Sequence, residues 1–314
     1  MKHWIEAARL RTLPLSVSGI LLGSFYALSQ AMFNWKIVLF ALTTTLLLQI
    51  LSNFANDYGD GVKGTDNEQR IGPARALQSG YISPQQMKKG ILFTAVLALL
   101  SALALIYVAF GQSNWGFTAI YVVLGLAAIA AAIKYTVGKS AYGYRGLGDV
   151  FVFVFFGLVS TLGVYFLFAK QLDWIIVFPA IMIGCLSVGV LNLNNLRDAV
   201  SDQVSDKQTL VVKNGRKWGV RYHNFLVLVA IICAVAFAVL DHFRMDQYLF
   251  VLAFVPLTRH LVRVNSIENP RDFDPELKVL SLSAFALSVL MSLSMISFLE
   301  DVFVQIYKVL EGFI

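Results

Sequence analysis

The sequence predicts an all-α, polytopic membrane protein, with about nine transmembrane helices around a central cavity that opens near the cytoplasmic side. Three observations carry that prediction. Hydrophobic residues make up 58% of the chain and charged residues only 14%, with a mean hydropathy of +0.70, whereas soluble domains carry about 25% charge. Apolar stretches recur at close to the ~20 residues that a bilayer requires. Carboxylates gather at the ends of two of those stretches, and the polar segments between stretches are too short for a soluble domain. Residues 1–314 therefore read as a single integral-membrane domain.

The first stretch, 12–32, follows a charged start. Pro14 sits early and no small-residue cleavage site stands out, so this helix is expected to be retained. The second, 36–55, runs into the first acidic cluster. Stretches 90–111, 115–136 and 149–169 follow, and the sixth, 174–193, runs into the second acidic cluster. Stretches 223–241 and 246–264 are separated only by Asp241-His242-Phe243-Arg244, and 279–299 is the ninth. Lys and Arg divide into 21 on the side holding the N-terminus and the segments after the second, fourth, sixth and eighth helices, against four (Lys36, Lys170, Arg244, Lys308) on the other. That asymmetry places the N-terminus in the cytoplasm. The net charge of +6 is then an orientation signal and an attraction to membrane lipid headgroups. Basic residues spread among loops give no nucleic-acid footprint. Cys185 and Cys233 fall inside separate helices and suggest apolar packing, not a disulfide or metal framework, and the four His show no ligand spacing.

The first acidic cluster contains Asn53, Asn56, Asp57, Asp60 and Asp66. If the second helix continues through it, Asn53, Asn56 or Asp57, and Asp60 share one face, and the glycines at 59, 61 and 64 then break the helix into a loop. In the second cluster, Asn194, Asp198, Asp202 and Asp206 repeat every four residues, which predicts one stripe of oxygen ligands along a helix, with Asn195 and Arg197 beside it. An even number of crossings separates the clusters, so both emerge on one membrane face, and their similar Asn-then-Asp pattern hints at a parallel internal repeat.

Carboxylates crowded at a membrane boundary repel one another, and a lone Asp at a helix centre already costs about 2.5 to 3.5 kcal/mol on insertion scales. A divalent cation removes the conflict. Hard oxygen donors without His or Cys favour Mg2+, which binds one or two carboxylates and completes its shell with water and substrate phosphate. The pattern thus suggests a diphosphate held between two metal-bearing helices. Lys63, Arg70, Arg75, Lys134, Lys139, Arg145, Arg197, Lys207 and Lys213 stand in the adjoining segments, and cations near the metal suit a departing diphosphate. A cation-coupled transporter would place ionisable groups near mid-membrane, whereas these lie at helix ends beside basic loops. A quinone or lipid binder would use a similar cavity.

Asn56-Asp57-x-x-Asp60 with Asp66, and Asp198-x-x-x-Asp202, resemble the two aspartate-rich signatures of the UbiA superfamily of intramembrane aromatic prenyltransferases. Arg11-Thr-Leu-Pro14-Leu-Ser16, Arg70-Ile-Gly-Pro73-Ala-Arg75-Ala-Leu-Gln78-Ser-Gly80, Gly143-Tyr144-Arg145-Gly-Leu-Gly148-Asp149, Phe155-Phe-Gly157 and Asn194-Asn195-Leu-Arg197-Asp198 are most similar to the branch acting on 1,4-dihydroxy-2-naphthoate. The similarity runs to about residue 215. It implies a Mg2+-dependent transfer of a polyprenyl group from polyprenyl diphosphate to dihydroxynaphthoate, with loss of carbon dioxide and diphosphate, giving demethylmenaquinone in a bacterial cytoplasmic (inner) membrane. A relative acting on 4-hydroxybenzoate or another aromatic acceptor is the alternative.

By position, the resemblance makes Asn56, Asp57, Asp60, Asp66, Asp198 and Asp202 the metal set. Asp60, Asp198, Asp202, Tyr135 and Lys139 would be the catalytic set, and Asn53, Arg70, Arg75, Arg145, Asn194, Asn195, Arg197 and Lys207 would hold substrate. Two positions depart from the pattern. Asp206 stands before Lys207 where the family usually has Gly, and Tyr135-x-x-x-Lys139 matches a signature of the wider superfamily whose Lys the naphthoate branch often lacks. Tyr135, Tyr142, Tyr144, Phe151, Phe153 and Phe155 are candidates to face an allylic cation, although with 24 Phe in the chain any one such ring is more often packing or lipid contact.

Overall fold

The computed structural model describes residues 2–65, 71–72 and 75–296. Asp66, Arg70, and the end of the ninth predicted stretch from residue 297 lie outside the described residues. As predicted, the described chain is helical, with no strand among the described residues. Besides the short helix Leu210–Asn214, its α-helices are α1 (Lys2–Ala8), α2 (Leu13–Ser29), α3 (Trp35–Lys63), α4 (Pro84–Phe110), α5 (Trp115–Lys134), α6 (Gly148–Ala169), α7 (Val177–Val204), α8 (Arg216–Leu240), α9 (Phe254–Ser266) and α10 (Phe273–Met295). Among the described residues, eight stretches are long and apolar enough to cross a bilayer, the first joining α1 to α2.

The eighth predicted crossing, 246–264, is helical but is not one of those eight. It begins as a 3-10 helix, Met245–Ala253, with a non-helical residue at Tyr248, and α9 then carries Arg259, His260 and Arg263. Those charges interrupt the apolar run.

Three boundary expectations are corrected. The second and sixth helices extend two to three turns past the apolar stretch, to Lys63 and Val204, because the polar tips remain helical beyond the bilayer-length segment. Gly59 and Gly61 do not break α3. They lie inside it, where a Cβ would strike Thr136 and Leu77 respectively, and only Gly64, at φ 74°, turns the chain. Asp206 does not extend the acidic stripe. Helix α7 has already ended, and Asp206 sits exposed at φ 54° with its carboxylate accepting from Gln208.

Helix α2 packs against α3, α6, α7 and α10, while α7 also holds α6, α8 and α10, so the main core lies among α2, α6, α7, α8 and α10. Cys185 and Cys233 are free and buried in that core, consistent with packing. Helices α3, α4 and α5 form the other side. The cavity lies between the two groups.

One buried polar network was not visible in the sequence. His223 Nε2 of α8 is 2.8 Å from His260 Nε2 of α9, whose Nδ1 is 2.5 Å from Glu276 Oε2 of α10. These bonds satisfy polar groups in an apolar environment and tie three helices together.

Candidate active site

A cavity of about 350 Å3 is lined by α2, α3, α4, α5, α6 and α7. Its deep walls are apolar, including Ala41, Leu105, Ile106, Ala128, Val159 and Leu167. Asn53, Asn56, Tyr135 and Asn194 mark its polar end. Helix α6 contributes a π-helical stretch, Phe153–Gly163, to this wall. Such wide turns are rare and occur at functional sites. Here Phe155, Phe156, Val159, Ser160 and Gly163 face the cavity.

The tip of α3 meets the chain after α7 just beyond the polar end. Asp60 is 3% exposed, and its Oδ2 accepts from Arg75 Nη1 at 2.8 Å while its Oδ1 accepts from the Tyr144 hydroxyl at 2.8 Å. Arg75 also donates to the Asn56 carbonyl at 3.0 Å. Lys207 Nζ lies 3.2 Å from Asp202 Oδ1. The Tyr144 ring stands between the clusters, with Lys63 Nζ 3.8 Å and Lys207 Nζ 5.8 Å from its centroid. The structure therefore brings Asp60 and Asp202 to one place. Bonds to two backbone carbonyls hold the bridge, since Tyr144 O accepts from Gln208 N and Arg145 O accepts from the Lys213 side-chain Nζ, each at 3.0 Å.

Charge balance at this junction follows from burial. Burial alone would drive Lys207 towards neutrality, but Asp202 and then Asp60 outweigh it and hold the ammonium above its ordinary pKa. Burial, followed by the Asp60 carboxylate, pushes the Tyr144 phenol up. Tyr144 therefore stays a hydrogen-bond donor at neutral pH.

The remaining sequence candidates sort by position. Asn56 and Asn194 line the cavity. Asn53 lines it too, but its amide donates to the Ala8 carbonyl at 2.9 Å and so latches the N-terminal helix. Asp198 accepts from Arg197 through both oxygens, at 2.8 and 2.7 Å, and Arg197 also bonds Asp274 of α10. Asp57 and Asn195 are buried but do not line the cavity. Arg145 and Lys139 are exposed. Tyr135, Tyr142, Phe151 and Phe155 line the cavity, with Tyr142 and Phe151 stacked at 3.9 Å. Phe153 packs on Gly184 instead, at the α6–α7 contact.

The donors are carboxylate and amide oxygens, the set a hard divalent cation prefers. Asp202 Oδ2 is buried with no hydrogen-bond partner among the described residues, a group such a cation would satisfy. No three carboxylate, imidazole or thiol groups among the described residues converge as a complete ligand set. An ion here would therefore draw part of its shell from a ligand, the usual arrangement for Mg2+ with phosphates.

The model of the UbiA prenyltransferase family matches residues 16–296. The chain belongs to that family. It is 43% identical over 299 residues to 1,4-dihydroxy-2-naphthoate octaprenyltransferase of Haemophilus influenzae, covering 94% of this chain and 96% of that protein. It is 44% identical over 263 residues to the enzyme of the same name from Escherichia coli, covering 83% and 85%. Among solved structures, digeranylgeranylglyceryl phosphate synthase superposes with a TM-score of 0.60 at 18% identity, covering 94% of this chain and 98% of that one. A UbiA homolog from Archaeoglobus fulgidus bound to DMAPP and Mg2+ gives 0.59 at 12% identity, covering 92% and 99%. These two structures share the UbiA fold.

Sequence reasoning missed Arg9, which enters the cavity wall in a left-handed conformation at φ 50°, and offered Tyr144 as a ring facing an allylic cation, whereas the structure places it outside the cavity lining with its hydroxyl on Asp60. Both owe their places to contacts distant in sequence.

Proposed function

We propose that this UbiA-family enzyme transfers a polyprenyl group from polyprenyl diphosphate to 1,4-dihydroxy-2-naphthoate, releasing diphosphate and carbon dioxide and forming the demethylmenaquinone skeleton. The observation that carries the reading is an apolar cavity whose polar end meets two acidic helix tips joined by Arg75, Tyr144 and Lys207. The names of the similar proteins favour the naphthoate acceptor.

Residues 1–314 act as one integral-membrane unit. The concentration of Lys and Arg favours a bacterial inner membrane with the N-terminus and the acidic tips on the cytoplasmic side.

Asp60 and Asp202, with Asn56, Asn194 and Asp198 nearby, would hold Mg2+. When bound, Mg2+ supplies charge neutralisation and a template for the diphosphate. Arg75, Lys207 and Lys63 place positive charge where the leaving diphosphate gains negative charge, and Arg197 fixes Asp198. The apolar walls bury the prenyl chain. Tyr142, Phe151 and Phe155 present ring faces to the reacting end and exclude water, which would otherwise capture the allylic cation as an alcohol.

The test is turnover by purified protein with polyprenyl diphosphate and Mg2+, offered dihydroxynaphthoate or 4-hydroxybenzoate in parallel. Product with dihydroxynaphthoate supports the reading. Consumption of only 4-hydroxybenzoate overturns the acceptor assignment.

A further inference from the structure

The segment Gly143-Tyr-Arg-Gly-Leu-Gly148-Asp149 carries a carboxylate that the diphosphate site does not use. Asp149 lies in the first turn of α6 and is 7% exposed. Asp60, Asp198 and Asp202 each have an Arg or Lys partner, whereas Asp149 has no such ion pair among the described residues. The Tyr222 hydroxyl of α8 is its polar neighbour instead. Its Oδ1 is buried without a hydrogen-bond partner among the described residues. An open, buried carboxylate oxygen is costly and calls for a reason.

Tyr135 stands beside it. Its ring is wedged between two glycines of the segment: a Cβ on Gly143 would lie 3.1 Å from the ring Cζ, and one on Gly148 would lie 3.2 Å from the hydroxyl. The segment is glycine-rich at these points because the ring occupies the space. The Tyr135 hydroxyl is thereby delivered next to the residue preceding Asp149. Tyr135 lines the cavity, and its hydroxyl has no hydrogen-bond partner among the described residues. Burial and then the Asp149 carboxylate, ahead of Asp60 and Asp202, hold this phenol protonated. Val152 and Phe156, which follow Asp149 in α6, also line the cavity. Beyond the polar end of the cavity the Asp60–Asp202 junction carries cations with its carboxylates, whereas Tyr135, on the cavity wall, stands near Asp149, a carboxylate without an Arg or Lys ion pair among the described residues.

We propose that Tyr135 and Asp149 form the proton site for the aromatic acceptor, with Tyr135 touching the acceptor hydroxyl and Asp149 receiving the proton through it. The proposal rests on the prenyl-transfer reading. The acceptor O–H bond breaks and its proton passes to Tyr135 as the Tyr135 proton passes to Asp149. The freed electron pair is delocalised onto the ring carbon, which bonds to C1 of the prenyl group. The C1–O bond breaks, and its pair leaves with the diphosphate. For attack at a carboxyl-bearing carbon, the C–CO2 bond then breaks, its pair restores the ring and returns charge to the same oxygen. The proton travels back from Asp149. Carbon dioxide and diphosphate leave, and the carboxylate ends ionised as it began.

Asp149→Asn, Asp149→Glu and Tyr135→Phe are compared with wild type using prenyl diphosphate, Mg2+ and the acceptor that wild type consumes. Asp149→Asn is expected to lower kcat by on the order of 100-fold. Its KM for prenyl diphosphate and the thermal stabilisation by Mg2+ with inorganic pyrophosphate stay within twofold and unchanged, respectively. An acceptor analogue whose ring fluorines acidify the hydroxyl should narrow the gap at least tenfold, and Asp149→Glu should recover part of the loss. If Asp149→Asn does not fold, Tyr135→Phe carries the test with the same expected pattern. Wild-type kcat in the variant, an equal loss with both acceptors, or a loss confined to the prenyl diphosphate KM overturns the proposal. Failure of wild type to turn over any hydroxylated arene instead sinks the function reading, so the two failures are distinct.

Discussion

Replacing Tyr144 with Phe removes one oxygen from the middle of the site and leaves the ring beneath Lys63 and Lys207 in place. That oxygen donates to Asp60 Oδ1 at 2.8 Å and lies 2.5 Å from the Thr65 hydroxyl. The Asp60 side chain is only 4% exposed, so water does not substitute for the lost donor. A hydrogen bond to a charged group contributes about 1.5 to 3 kcal/mol. Arg75 remains on Oδ2, so the helix tip stays folded while Oδ1 loses its anchor. If that energy appears in the transition state, kcat/KM for prenyl diphosphate falls roughly 10- to 150-fold. The acceptor KM should stay within twofold. The assay is initial-rate turnover in detergent or proteoliposomes, with melting temperature as the check on folding. Tyr144→Leu, which also removes the ring, should lose more. A Phe variant within twofold of wild-type kcat/KM would refute the idea that this phenol holds the site together.

Asp60→Asn and Asp198→Asn should each reduce turnover to background while membrane insertion, measured by the yield of monodisperse protein, is preserved. Lys207→Met leaves Asp202 buried beside an apolar group and should destabilise the protein by about 3 kcal/mol. Wild-type denaturation in that variant would contradict the buried pair. Gly59→Ala drives a Cβ to 2.5 Å from Thr136 Oγ1 and should cost about 1 to 3 kcal/mol together with activity; unchanged stability would show that the α3 tip and the end of α5 tolerate separation. Burial, reinforced by Asp173, pushes Asp241 up to about 6. A carboxyl whose folded pKa exceeds its unfolded value binds extra protons in the folded state, so stability from this group is gained as pH falls from about 7 towards 4. Asp241→Asn should flatten that rise in melting temperature, and an unaltered pH profile would remove the assignment.

The membrane class and the two acidic clusters were legible because hydropathy and helical spacing are local properties. The extent of α3 and α7 was not, since a bilayer-length criterion stops at the first polar residue while the helices continue to Lys63 and Val204. The regular spacing of Asp206 was misleading because helical register means nothing past a left-handed turn. Tyr144 meets Asp60 across 84 residues of chain, and His223 meets His260 across 37. No periodicity reports such contacts. The glycines of the 143–148 segment were visible as a motif, but their purpose emerges only with the Tyr135 ring between them.

The account depends most on the tips of α3 and α7 acting as one diphosphate site. A double-mutant cycle tests this directly, with Mg2+-dependent binding of a short prenyl diphosphate measured calorimetrically for wild type, Asp60→Asn, Asp202→Asn and the double variant. One shared site predicts a coupling of about 1 kcal/mol or more between the two substitutions. Losses that simply add, or binding that survives both changes, would contradict it.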